Sequence, residues 1–157
     1  MKTVKGDLIQ LALKDSFDVI IHGCNCFHTM GAGIAKFIKK EFPEAYTEDV
    51  LTVYGDKKKL GYVSIAHIER EGASFSVVNG YTQFDFKGKM NVDYEAIRNV
   101  FRTVKNSFRE DVRIGYPLIG CGLAGGDWDI VSKIIEEELN GLDHTLVEFD
   151  NTKSGDK

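Results

Sequence analysis

Two glycine-rich stretches constrain this chain more than any other feature: Gly31-Ala32-Gly33, and Gly120-Cys121-Gly122-Leu123-Ala124-Gly125-Gly126. Each is placed between an apolar β-type run and a segment of helical periodicity. Glycine loses more conformational freedom on folding than any other residue, so four glycines in seven positions are an unfavourable way to make a mere connection. What such a loop offers is close approach of the backbone. The N–H groups opening the following helix are unpaired and lie at its positive end, where an anion is stabilised. A single turn of this kind reads equally well as a tight strand-to-helix connection. Two in one chain point to an anion site.

The elements around the loops are legible from periodicity. Short β-branched and aromatic runs predict strands over Thr3 to Lys5, Val19 to His22, Tyr62 to His67, Phe75 to Asn79, Arg113 to Leu118 and Thr145 to Phe149. Val19-Ile20-Ile21 is continuously apolar, as a strand covered on both faces requires. Ile34, Phe37, Ile38 and Phe42 follow helical spacing from Gly33, with Pro43 ending the pattern. Tyr94, Ile97, Phe101, Val104 and Phe108 form a second such face, with Asn91 as the expected N-cap. Ile130, Ile134, Ile135 and Leu139 form a third, opened by Asp127 and closed by Gly141 at the C-cap. Strands alternating with helices predict a three-layer α/β/α domain with a mixed central sheet over residues 1–150. Ligands of such sheets sit outside the carboxyl ends of the strands, which is where both glycine loops fall. The polar segment 151–157 is expected to be a disordered tail.

The chain is of single-domain size at 157 residues, and no apolar run approaches the roughly 20 residues of a membrane helix. No signal-peptide pattern follows the N-terminal Met1-Lys2. Three cysteines, two of them in Cys24-Asn25-Cys26, do not make a disulfide framework and fit a cytoplasmic protein. The net charge of −4 excludes broad duplex nucleic-acid binding but not a small anionic ligand. Lys57-Lys58-Lys59 reads as a solvated loop.

Two standard phosphate motifs do not fit. Neither loop closes with the Gly-Lys-Ser/Thr of a P-loop. The dinucleotide fingerprint puts its glycines directly after the strand, with a third glycine where Lys36 stands here. The combination that does fit is Gly6-Asp7-Leu8 after the first strand, then Ile20-Ile21-His22-Gly23-Cys24-Asn25, then Gly31-Ala32-Gly33-Ile34-Ala35, then Pro117-Leu118-Ile119-Gly120-Cys121-Gly122-Leu123. In this order and spacing the chain resembles the macro domain family, over nearly its whole length.

The resemblance implies ADP-ribose or a derivative as ligand, with ADP-ribosylated macromolecules as further partners; no cofactor or metal is expected. It implies that Asp7, with Leu8 beside it, receives the adenine amino group. Asn25 would bond the hydroxyls of the distal ribose, which carries C1″. Gly31, Ala32, Gly33 and Ile34 would wrap that ribose and the diphosphate, and Gly120, Cys121, Gly122 and Leu123 would close over the diphosphate. Phe149 stands where many relatives stack a ring on adenine; its alternative is a core position on the last strand. The branch with His-Gly-Cys-Asn and Gly-Cys-Gly-Leu includes phosphatases of ADP-ribose 1″-phosphate and hydrolases that release ADP-ribose from macromolecules. One hydrolase type uses a lysine nucleophile and an aspartate directly after Gly-Cys-Gly-Leu. Here Ala124 holds the second position, and Tyr81 to Phe86 contains no lysine.

The expected activity is therefore ADP-ribose 1″-phosphate hydrolysis, with a non-catalytic reader or a de-ADP-ribosylating hydrolase as alternatives. Asn25 and His28 are the candidate catalytic residues. Histidine is the side chain that titrates nearest neutrality, so His28 is the candidate to orient water or protonate the leaving oxygen, against an exposed loop histidine as its alternative. His22 ends an apolar strand and reads as a hydrogen-bonded core residue. The alternation His22, Cys24, Cys26, His28 lacks the paired spacing of a structural zinc site.

Overall fold

The computed structural model describes residues 1–87, 91–122 and 124–150. In chain order the elements are β1 (Lys2–Gly6), α1 (Leu8–Leu13), β2 (Val19–Cys24), α2 (Gly33–Glu41), α3 (Pro43–Val50), a 3₁₀ turn (Lys57–Lys59), β3 (Val63–Arg70), β4 (Ala73–Tyr81), α4 (Tyr94–Ser107), β5 (Arg113–Tyr116), α5 (Trp128–Glu138) and β6 (Asp143–Phe149). The six strands form one sheet in the order β1-β6-β5-β2-β4-β3. All neighbours are parallel except β3 and β4, which make an antiparallel hairpin at one edge. The sheet is mixed, as the alternation of elements predicts.

Both faces are covered, because β2 alternates between two cores. Ile20 packs with Ile38, Phe42, Ala45, Phe75 and Val77 beneath α1, α2 and α3. Val19 and Ile21 pack with Val78, Ile97, Phe101, Ile114 and Ile135 beneath α4 and α5. This is the three-layer arrangement, and it explains why β2 carries no polar residue before His22.

All six strands lie where expected, with shifted ends. β5 stops at Tyr116 because Pro117 has no N–H to give a ladder. Several helix details differ. α4 is capped by Asp93, whose carboxylate accepts from Ala96 N at 3.0 Å, not by Asn91, whose own N–H goes to Ala124 O. α5 does open on Asp127, but Leu139 is its C-cap, and Gly141 turns the chain two residues later with φ +87°. Phe37 and Ile130 are exposed although their spacing places them on the apolar faces. α1 and α3 carry no strong periodic signal: α1 is six residues long, and α3 starts with the Pro43 that ends α2. Lys59 is buried, unlike Lys57 and Lys58, so the lysine run is not simply a solvated loop. The tail 151–157 lies outside the described residues. No helix among them is long and apolar enough to cross a membrane.

The start of β5 is clamped to the chain entering β2. Arg113 donates to Asp18 through Nε at 3.0 Å, Nη2 at 3.0 Å and the backbone N at 2.8 Å. The Arg113 hydrogen bonds hold the Asp18 carboxyl below its ordinary value of 3.8. The stabilisation is therefore full at neutral pH and is lost as pH falls through the acid range below that value. Asp18→Asn should lower stability by about 1–2 kcal/mol in urea unfolding at pH 7. An unchanged midpoint would show the clamp contributes nothing.

Candidate functional site

Because β1, β6, β5, β2 and β4 run parallel, their carboxyl ends share one edge of the sheet. That edge receives Asp7 after β1, Phe149 at the end of β6, Pro117 to Gly120 after β5, Asn25 after β2 and Thr82 after β4. Residues far apart in sequence are thus delivered to one place by strand direction alone.

At the β1 end, Asp7 caps α1: its Oδ1 accepts from Ile9 N at 2.9 Å and Gln10 N at 3.3 Å. Both bonds use one oxygen. Leu8 is buried in the core, so only its backbone can reach a ligand. Phe149 is 59% exposed, which removes the core alternative and leaves its ring at the rim of the edge.

The first loop is held in an unusual backbone path. His28 and Met30 have φ of +55° and +39°, left-handed values that non-glycine residues adopt only where the surroundings impose them. Asn25 closes an Asx turn, Oδ1 accepting from Phe27 N at 2.8 Å while Nδ2 donates to Thr29 Oγ1 at 2.6 Å. One amide hydrogen and one lone pair of Asn25 remain for a ligand. Gly31, Ala32 and Gly33 are exposed, and Gly33 has φ +58°. The N-cap of α2 is Ala32, so no side chain caps the first turn, and no acidic residue stands there. The positive end of α2 is therefore left to an external acceptor.

His28 is half-buried and its ring is tied down. Thr52 Oγ1 gives its only proton to Asp49 O at 2.6 Å and accepts from Lys59 Nζ at 2.8 Å. The 3.0 Å contact between His28 Nε2 and Thr52 Oγ1 must then have the imidazole as donor, which leaves Nδ1 as an acceptor. Tyr46 donates to His28 O at 2.9 Å, and the ring meets Tyr54 edge-on. His28 is not a free loop histidine.

The second loop uses its glycines for two different reasons. Gly120 and Gly125 have φ of +75° and +78°. A Cβ on Gly120 would lie 2.8 Å from Val92, and one on Gly126 would lie 2.4 Å from Gly120 O. Gly126 N also donates to Gly120 O at 2.7 Å, closing the loop on itself. Gly122 has neither constraint: it is exposed with nothing within 4 Å of a built Cβ. Much of the glycine content thus serves closure, and Gly122 alone is open to a ligand on that ground. Cys121 is half-buried, its thiol pushed up to about 11 by burial. Cys24 and Cys26 are buried, and burial raises both thiols as well. Leu123 lies outside the described residues. Ala124 is buried and presents no acid. Among the described residues, no three His, Cys, Asp or Glu side chains cluster as a metal would need.

His22 is fully buried, its Nε2 2.7 Å from Asn79 Oδ1. Asn79 donates its amide to Ala45 O and Ser64 Oγ, so its oxygen accepts and His22 Nε2 carries the proton. Sequence reasoning placed this residue correctly. It missed Thr52, Tyr46 and Lys59, which brace the first loop from α3 and the segment 52–59. No motif marks them, and Lys59 is disguised within a lysine run.

A doubly covered, mostly parallel sheet with two glycine loops and an aspartate at its carboxyl edge defines a three-layer α/β domain. The macro domain family model matches residues 21–135, and the chain belongs to the macro domain family. It is 35% identical over 155 residues to an uncharacterized 17.5 kDa protein of the tk-vs intergenic region of enterobacteria phage T4, covering 96% of this chain and 97% of that one. It is 30% identical over 142 residues to the bovine ADP-ribose glycohydrolase OARD1, covering 89% of this chain and 84% of that one. Among solved structures it is similar to a macrodomain protein from Streptomyces coelicolor, with TM-score 0.68 and 26% identity over 93% of this chain and 97% of that one.

Proposed function

We propose that the chain binds ADP-ribose along the carboxyl edge of the sheet and hydrolyses ADP-ribose 1″-phosphate to ADP-ribose and phosphate. The observation that carries the reading is the convergence on one edge of Asp7, Asn25 and two loops with exposed backbone. Asp7 has a carboxylate oxygen outside its cap bonds to receive the adenine amino group, and the exposed Phe149 ring stacks on adenine. The N–H groups of Gly31 to Ile34, with those of Gly120 and Gly122 in the second loop, hold the diphosphate; the Cys121 N–H is already given to Leu118 O. The remaining amide hydrogen of Asn25 orients the distal ribose.

Among the described residues no activated nucleophile supports a covalent route: burial raises the thiols, and Ala124 presents no acid. Water therefore attacks phosphorus directly. The bond from phosphorus to the ribose 1″ oxygen breaks, backbone N–H groups stabilise the phosphoryl charge, His28 Nδ1 takes the proton of the attacking water, and the ribose oxygen gains one from solvent. A second reading, release of ADP-ribose from modified macromolecules, is favoured by the identity to the bovine glycohydrolase.

Phosphate release from ADP-ribose 1″-phosphate decides between them. Asn25→Ala should lower kcat/KM about 100-fold, as loss of one well-placed donor does. Release no faster than that of the variant removes the phosphatase reading. Loss of label from ADP-ribosylated protein or single-stranded DNA would then establish the second, and binding by calorimetry without turnover would establish a reader.

A further inference from the structure

A lysine ammonium is seldom buried, because desolvation is costly unless its protons are satisfied. Lys59 is only 8% exposed, and it forms no ion pair among the described residues. Its Nζ donates to Cys26 O at 3.0 Å and to Thr52 Oγ1 at 2.8 Å, and lies 4.8 Å from the centre of the Tyr81 ring. Two of these three partners lead directly into the first glycine loop. Cys26 O belongs to it, and Thr52 Oγ1 receives the His28 ring. The third partner, Tyr81, donates to the buried Asp49 at 2.7 Å. Asp49 sits at the end of α3, where its carbonyl takes the Thr52 proton.

The loop needs such a brace. His28 and Met30 hold left-handed backbone conformations, which persist only when neighbours over-determine them. The neighbours include Lys59 and Gly55 N on Cys26 O, Thr52 on the His28 ring and Tyr46 on the His28 carbonyl, all from α3 or the segment 52–59, while Phe84 O accepts from Cys26 N at 3.0 Å.

We propose that Lys59, acting through Thr52, is a positioning residue of the site: it holds residues 25–30 in the strained path that presents Asn25 and the N–H groups of Gly31 to Gly33. The ligand part of this inference rests on the ADP-ribose reading above; the conformational part does not.

Thr52→Val removes the hydroxyl at nearly constant volume, and Thr52→Ser keeps it. Lys59→Met removes the ammonium, and Thr52→Val carries the test if that variant fails to fold. The readouts are ADP-ribose binding by calorimetry, and amide hydrogen exchange at Cys26, Phe27 and Gly55. Thr52→Val and Lys59→Met should each weaken binding about tenfold, as the loss of one hydrogen bond to a charged group does, and should speed exchange at those amides. Thr52→Ser should restore both to within about twofold. A Thr52→Val protein that melts earlier yet binds and exchanges like wild type overturns the inference and makes Lys59 merely structural. If wild type itself does not bind ADP-ribose, the functional reading fails. Exchange at the three amides still decides the positioning claim, which unchanged rates would overturn.

Discussion

Gly126→Ala should unfold the second loop and abolish ligand binding, whereas Gly122→Ala four residues earlier should leave the fold intact. The contrast follows from what a methyl group would meet. At Gly126 it would sit 2.4 Å from Gly120 O and 3.2 Å from Gly120 C, both backbone atoms that no rotamer change can move. It would also strain the 2.7 Å hydrogen bond from Gly126 N to Gly120 O that closes the loop. Relief requires the loop to open, at a cost of about 2–3 kcal/mol by analogy with overpacked cores. Gly122 meets nothing within 4 Å and has no positive φ, so its substitution should change stability by less than about 0.5 kcal/mol. It should nevertheless weaken ADP-ribose binding, because the methyl group occupies the space a diphosphate would approach. Urea unfolding and calorimetry on both variants check the pair. Equal stability losses would mean that the loop tolerates opening at Gly126, and undiminished binding by Gly122→Ala would remove Gly122 from the ligand wall.

Acidification from pH 6.5 to pH 4 should cost the fold about 3 kcal/mol through His22 alone. Burial lowers its pKa from 6.5 to about 4, the hydrogen bond to Asn79 and the charge of Asp49 offsetting only part of that. The sign follows from proton uptake. Between the two values the unfolded chain binds a proton that the folded chain refuses, so stability is full above 6.5 and declines until pH reaches about 4. His144, lowered chiefly by burial and secondly by the N-terminal ammonium, adds in the same direction. The specific check is the NMR titration of the His22 ring. It should stay neutral, with Nε2 protonated, down to about pH 5, while urea midpoints fall over the same interval. A ring that titrates near 6.5 would mean His22 is solvated and the core around Asn79 is open.

Much of the fold was legible because it rests on local periodicity. The continuous apolar run at Val19 to Ile21 announced a strand covered on both faces, and Ile20 against Val19 and Ile21 now divides the two cores. Asp127 announced its helix because a cap is a contact over two residues. The misses share one cause. Phe37 and Ile130 have the right spacing, but whether an apolar face is covered depends on how far the neighbouring helix reaches. Asn91 and Asp93 are equally good caps on paper, and the bond from Asn91 N to Ala124 O settles the choice across the loop.

The site divides in the same way. Asp7, Asn25 and the two glycine loops were readable as residue types in order, because each follows a β-type run in the sequence. Strand order alone places them on one edge. The brace behind the first loop was not readable: Lys59 looks like its neighbours Lys57 and Lys58, and Thr52 and Tyr46 belong to no motif. Only tertiary contacts with Tyr81 and Thr52 bury one ammonium of three and aim it at Cys26 O. The chain by itself determined which small-residue segments follow the strands at that edge. The tertiary structure decided what holds them still, because burial of a charge is set by neighbours distant in sequence.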